Sequence, residues 1–161
     1  MGRLFRARTP EGQNVVVKVV APGRIEEAAA LREEVRFLSR LRHPNLVAFL
    51  GFADKSDAIF GEDRGPCYWM EDAGGQEILP ASRGKEPGLL FSWFREGLEA
   101  LRYLHSQKVL HGDLSPRNIL IGQDGRLKLL DFGTAGFLGE AALLPSAATF
   151  PYAAPERLSG V

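Results

Sequence analysis

The chain has 161 residues, 45% hydrophobic and 25% charged, which suits one globular domain with a buried core. Twenty basic residues balance twenty acidic ones, so no charge excess points to nucleic acid or an anionic membrane. The single cysteine, Cys67, excludes an internal disulfide and CxxC metal sites and is compatible with a reducing compartment, and no apolar run reaches the length of a membrane span.

Residues 2–8 read as a strand leaving a glycine, and Thr9-Pro-Glu-Gly-Gln13 is turn chemistry. The basic and apolar alternation here lacks the apolar core of a signal peptide, and position 6 lacks the Ser or Thr of a myristoylation motif. Val15 to Val20 is a β-branched strand carrying one charge, Lys18. That lysine is either edge protection against aggregation or a buried cation that needs a partner. Ile25 to Leu41 reads as a helix with Leu31, Val35, Leu38 and Leu41 at helical spacing. Glu34 lies on or beside that apolar face, whereas Glu26, Glu27 and Glu33 read as solvated. Leu46 to Phe52 is expected as a strand and residues 53–65 as a solvated loop. Tyr68 to Asp72 is a short strand running into Gly74-Gly75, with Met70 a natural core filler. Residues 76–87 look irregular; Leu89 to Gln107 is a helix with the stripe Leu90, Phe94, Leu98, Leu101 and Leu104.

The chemistry concentrates after that helix. His111-Gly-Asp-Leu-Ser-Pro-Arg-Asn118 is followed by Ile119-Leu-Ile121, the turn Gln123-Asp-Gly125, Leu127 to Leu130, and Asp131-Phe-Gly133. The two apolar runs and the Asp-Gly turn predict a hairpin. A hairpin here brings Asn118 and Asp131 to one end, so Asp113, Asn118 and Asp131 converge. Carboxylate and amide oxygens suit a hard cation such as Mg²⁺, which keeps phosphate oxygens as its other ligands. Residues 134–148 are small and apolar without a period, and Thr149-Phe-Pro-Tyr152-Ala-Ala-Pro-Glu156 closes the series.

This series resembles the catalytic loop and metal-binding loop of protein kinases, H-R-D-L-x-x-x-N followed by D-F-G and A-P-E. His43-Pro-Asn45 and the Thr149–Glu156 segment are similar to further marks of the same family. The resemblance implies an α+β, two-lobed protein-kinase-like fold: an antiparallel-sheet small lobe plus helix over 1–71, a hinge over 72–76, and an incomplete helical large lobe over 77–161. It implies ATP and Mg²⁺, with Mn²⁺ as an alternative, a serine or threonine hydroxyl on a protein as acceptor, and a cytoplasmic setting for this chain. Asp113 would orient the acceptor hydroxyl, and Asn118 and Asp131 would hold the metal. Lys18, set by Glu34 rather than Glu33, would hold the α- and β-phosphates. Gly2, Leu4, Val16, Met70, Glu71, Ala73 and Leu120 would surround the nucleotide, with Val16 and Leu120 on the two faces of adenine. Thr149 would hydrogen-bond Asp113. His111 and Phe132, with Leu38 and Phe49, would form an apolar stack, so His111 is structural rather than a base.

The sequence departs from the family at three places. Gly112 stands where an arginine usually binds a phosphorylated loop, Ser115 where a lysine usually meets the γ-phosphate, and two glycines of the phosphate-covering loop have no counterpart before Gly2. Arg117 is the candidate substitute for the lysine. Met1-Gly2 is similar to the end of the Gly-Gly-Met-Gly found in bacterial-type members, which implies an internal methionine and a chain truncated at both ends. Two other readings stay open: a kinase-like binding module without catalysis, and a small-molecule phosphotransferase of the aminoglycoside or choline type, where His-Gly-Asp is common.

Overall fold

The computed structural model describes residues 2–56, 64–137 and 150–153. They divide into two compact units, Met1–Leu41 with Ala48–Asp72, and Arg42–Val47 with Ala73–Val161.

The first unit is a four-stranded antiparallel sheet with one helix. Strands β1 (Arg3–Arg8), β2 (Asn14–Val19), β3 (Phe49–Ala53) and β4 (Cys67–Glu71) lie in the order β1-β2-β4-β3. Alternation sorts β2 into two faces. Val15, Val17 and Val19 are buried with Cys67 in one cluster, against Phe5, Ala7, Ala53 and Trp69. Val16 and Lys18 point to the other face. Lys18 is therefore not at an edge: β2 is flanked by β1 and β4.

Helix α1 (Ile25–Leu38) buries Leu31, Glu34, Phe37 and Leu38. The helix was expected to reach Leu41; instead Arg40 and Leu41 donate back three residues, to Phe37 and Leu38. Such tightening ends a helix ahead of His43-Pro44, because the residue before proline disfavours the helical region.

The strand expected over 46–52 is divided. Leu46 bridges Leu129 in parallel and Val47 donates to the Leu129 carbonyl, within the second unit, and β3 begins only at Phe49. Asn45 secures the same place, receiving the Leu129 N–H and donating Nδ2 to Leu127 O at 2.9 Å.

In the second unit, residues 76–87 are not irregular throughout. Gln76–Glu77 forms β5 against Ile121 and Leu120, and Ile78–Ser82 forms helix α2. Helix α3 (Pro87–Ser106) opens with proline at its first turn, where no N–H is missed. Of the expected stripe Leu104 is buried and Leu101 partly buried, while Leu90, Phe94 and Leu98 stay exposed; Trp93 and Ala100, one step round, are buried instead. Those three help line an apolar groove of about 340 Å³ with Trp93, Leu114 and Leu129.

The hairpin of β7 (Ile119–Ile121) and β8 (Leu127–Leu129) forms with Gly125 at φ +78°, the positive value that the Asp-Gly turn favours. Glu96 of α3 reaches it, accepting the Leu127 N–H at 2.7 Å. Strand β6 (Val109–Leu110) pairs with β9 (Gly136–Phe137), which lies at the start of the segment expected to be a loop.

Candidate functional site

On the first unit, strand register assembles one face of the sheet. Leu4, Lys18 and Tyr68 are partners across three strands, and Arg6, Val16 and Met70 form the next row. Lys18 Nζ donates to both carboxylate oxygens of Glu34, at 2.8 and 2.7 Å. The side chains are 13% and 3% exposed, which makes this a buried ion pair. Glu33 stays in solvent and pairs with Arg36 at 3.3 Å. Tyr68 donates its hydroxyl to Glu34 Oε1 at 2.8 Å, so the buried carboxylate has a second source of donors. Gly2 lies beside the Val19 carbonyl and the Lys18 stem, and Leu4 is largely exposed. Glu71 accepts the Ala48 N–H at 3.0 Å, which ties the strand end that carries Met70.

On the second unit, His111, Asp113, Asn118 and Asp131 are drawn to one end of the β7–β8 hairpin. The Leu130 N–H donates to the Asn118 carbonyl at 2.9 Å, so Asp131 emerges next to Asn118. Asn118 Nδ2 donates to the Asp113 carbonyl at 2.8 Å and to Asp113 Oδ2 at 3.1 Å. Asp131 adopts φ +57°, a left-handed conformation that aspartate tolerates, and its Oδ1 accepts the Gly133 N–H at 3.1 Å. His111 is buried, its Nε2 2.9 Å from the Leu130 carbonyl and its Nδ1 3.4 Å from the Asp113 N–H. One tautomer satisfies both contacts, with the proton on Nε2. Burial lowers the imidazole pKa, against the Leu130 carbonyl and the Asp131 and Asp113 charges, which raise it. The ring packs on Phe132 with centroids 5.0 Å apart.

Gly112 is held at φ +83°, and a Cβ there would overlap the Thr134 carbonyl oxygen. An arginine at this position is therefore incompatible with this backbone. Ser115 is buried and its Oγ has no hydrogen-bond partner among the described residues, so it does not stand in for an exposed cation. Arg117 lies exposed in the 3₁₀ turn Pro116–Asn118. Ala73 and Leu120 are partly buried, and the Ala73 carbonyl accepts the Gln123 N–H. Thr149 and Ala154-Pro-Glu156 lie outside the described residues, as does Met1.

The donor set at Asn118 and Asp131 fits a hard cation. Asn118 spends its amide N–H groups on Asp113, which leaves its carbonyl oxygen as the donor atom toward a cation. Among the described residues no three His, Cys, Asp or Glu side chains gather into a cage. Two oxygen donors completed by phosphate and water are the way Mg²⁺ is usually held. Such an ion would neutralise charge on transferring phosphate. Sequence reasoning missed Tyr68 and Glu96. Tyr68 passes for an ordinary strand aromatic until register sets it opposite Lys18.

Comparison with known proteins agrees with this geometry. The family description "Protein kinase domain" matches residues 1–161. The chain is 34% identical over 154 residues to the probable serine/threonine-protein kinase MARK-B of Dictyostelium discoideum, covering 91% of this chain and 20% of that protein. It is 32% identical over 167 aligned positions to Aurora kinase A-A of Xenopus laevis, covering 99% and 39%. It is 34% identical over 164 positions to the probable serine/threonine-protein kinase CHK1 homolog of Encephalitozoon cuniculi (strain GB-M1), covering 98% and 38%. The chain thus spans between 20% and 39% of the length of these relatives. An antiparallel sheet with its helix, followed by a helical region carrying the His111–Gly133 loops, is the kinase arrangement, and the chain belongs to the protein kinase domain family.

Proposed function

We propose that this chain carries the nucleotide-binding and phosphoryl-transfer residues of an ATP-dependent protein kinase that modifies serine or threonine hydroxyls. The observation that supports the reading best is the double tie of Asn118 to the Asp113 carbonyl and carboxylate, next to Asp131. Phosphoryl transfer asks for positioning and charge neutralisation more than covalent chemistry. Asp113 orients the acceptor hydroxyl and accepts its proton; Asn118 and Asp131 hold Mg²⁺; Lys18, fixed by Glu34, holds the α- and β-phosphates. Gly2, Leu4, Val16, Met70, Glu71, Ala73 and Leu120 surround the nucleotide, and Arg117 takes the γ-phosphate role left by Ser115. Neutral His111 supports the loop.

Thr149 is assigned to the acceptor side, where its hydroxyl hydrogen-bonds Asp113 and favours serine or threonine. Within the family, the Met1-Gly2 pattern favours a bacterial-type member. The test is transfer of labelled phosphate from Mg-ATP by the full chain to generic protein substrates, followed by phosphoamino-acid analysis. Phosphoserine or phosphothreonine is expected, and Thr149→Ala should lower turnover by roughly a hundredfold, the scale of a lost positioning contact. Phosphotyrosine as the main product would sink the serine/threonine assignment. The glycine conformation at position 112 also suits the His-Gly-Asp of small-molecule phosphotransferases, so amino-alcohols belong in the same assay. Their phosphorylation in preference to protein would replace the protein-kinase reading.

A further inference from the structure

Tyr68 is 1% exposed and stands directly opposite Lys18 across the β2–β4 pairing. Its hydroxyl donates at 2.8 Å to Glu34 Oε1, the oxygen that also receives one of the two Lys18 hydrogen bonds. Lys18 Nζ lies 5.8 Å from the centroid of the Tyr68 ring, within the range at which a ring face attracts a cation. The Phe49 ring packs against Tyr68 with centroids 6.2 Å apart.

The mechanical difference between the two donors matters. Lys18 carries a flexible four-carbon stem with rotatable donors, so an ion pair alone leaves the direction of its ammonium loosely set. Tyrosine has two side-chain torsions, and both are fixed here by burial between strand and helix. Tyr68 is therefore a stiff donor on the sheet that pins a carboxylate carried by α1. A pinned carboxylate binding two ammonium hydrogens in turn fixes where the third points.

From this we infer that Tyr68 is a positioning residue for the nucleotide phosphates: it orients Glu34, and through Glu34 the Lys18 ammonium. The inference rests on the proposed role of Lys18 toward the α- and β-phosphates.

Calorimetry on the full chain tests it with two probes, Mg-ATP and adenosine. Tyr68→Phe removes one hydroxyl and keeps the ring. It should weaken Mg-ATP binding roughly tenfold, the low end of what a hydrogen bond to a charged group contributes, while adenosine binding stays the same. In a Lys18→Met background the same change should have no further effect on Mg-ATP. Should Tyr68→Phe fail to fold, Tyr68→Met, which keeps apolar bulk, replaces it with the same expectation. Equal loss for both probes, an undiminished loss in the Lys18→Met background, or no loss at all would overturn the positioning role and leave the kinase reading standing. A wild-type chain that binds adenosine but gains nothing from the phosphates would overturn the role of Lys18, and that of Tyr68 with it.

Discussion

Glu34 is a charged group with 3% of its side chain in water, and it is tolerable there because Lys18 and Tyr68 both donate to it. Removing one partner of such a pair leaves an uncompensated charge. Lys18→Met should therefore destabilise the chain by about 3 kcal/mol, at the low end for a broken buried pair, in denaturant titration. Adding Glu34→Gln to Lys18→Met should recover part of that loss, since the orphaned charge is gone; no recovery would mean the pair is not buried in solution. His111 gives a second residue-scale prediction. Its pKa is lowered from the ordinary 6.5 by burial, so the unfolded chain binds the proton first as pH falls. Its contribution to stability is complete above about pH 6.5 and is lost as pH drops through the window beneath. His43, half-buried and stacked on Tyr103, is shifted the same way by burial. The denaturation midpoint should fall between about pH 7 and about pH 5, and His111→Gln should flatten that slope, with His43→Gln removing a further part. A slope unchanged by both substitutions would reject the assignment. Lys18, Glu34 and His111 could be read from local pattern and motif. Tyr68 could not, because its meaning depends on a strand pairing set by residues fifty positions apart.

At the scale of elements, the turn that carries Gly112 is the most constrained. Its φ of +83° is costly for any residue with a Cβ, and the Thr134 carbonyl occupies the space as well. Gly112→Ala should cost about 2 kcal/mol or more in stability, and Gly112→Arg should not restore control by a phosphorylated loop. A Gly112→Ala chain with an unchanged melting midpoint would show that the turn can relax. The long elements, α1, α3, β2 and the β7–β8 hairpin, were legible because periodicity or a turn dipeptide marks them locally. Strands β5 and β9 have two residues each and owe their existence to partners elsewhere, Ile121 and Leu120 for one, Val109 and Leu110 for the other. No window of sequence carries such a signal. The N-terminal part of the stripe on α3, Leu90, Phe94 and Leu98, was misplaced for a related reason: the apolar arc is wide, and Trp93 is drawn inward where its indole N–H donates to the Gly125 carbonyl at 2.9 Å.

For the molecule as a whole, the groove beside Leu90, Phe94, Leu98 and Leu114 leaves a contiguous apolar surface, and surfaces of this kind favour association. Phe94→Glu with Leu98→Lys should shift the 161-residue chain toward monomer in light scattering, with its melting midpoint changed little because both side chains are largely exposed. Unaltered association would place the sticky surface elsewhere. The segment Arg42–Val47 has a further consequence, for the order in which the chain acquires structure during synthesis. It belongs to the second unit although residues of the first flank it on both sides. Asn45 finds its acceptor at Leu127, 82 residues ahead. At roughly 5–20 residues per second, that acceptor leaves the ribosome about 4–16 s later. Arg42 and His43 meet Tyr103 once α3 has emerged, whereas the backbone partners of Asn45 and Val47 arrive only with the hairpin. In a fragment ending at Ser106 the Val47 amide, which donates to Leu129 in the full chain, should exchange with solvent as an unprotected amide does. Slow exchange of that amide in the fragment would show that the segment finds its place without the hairpin.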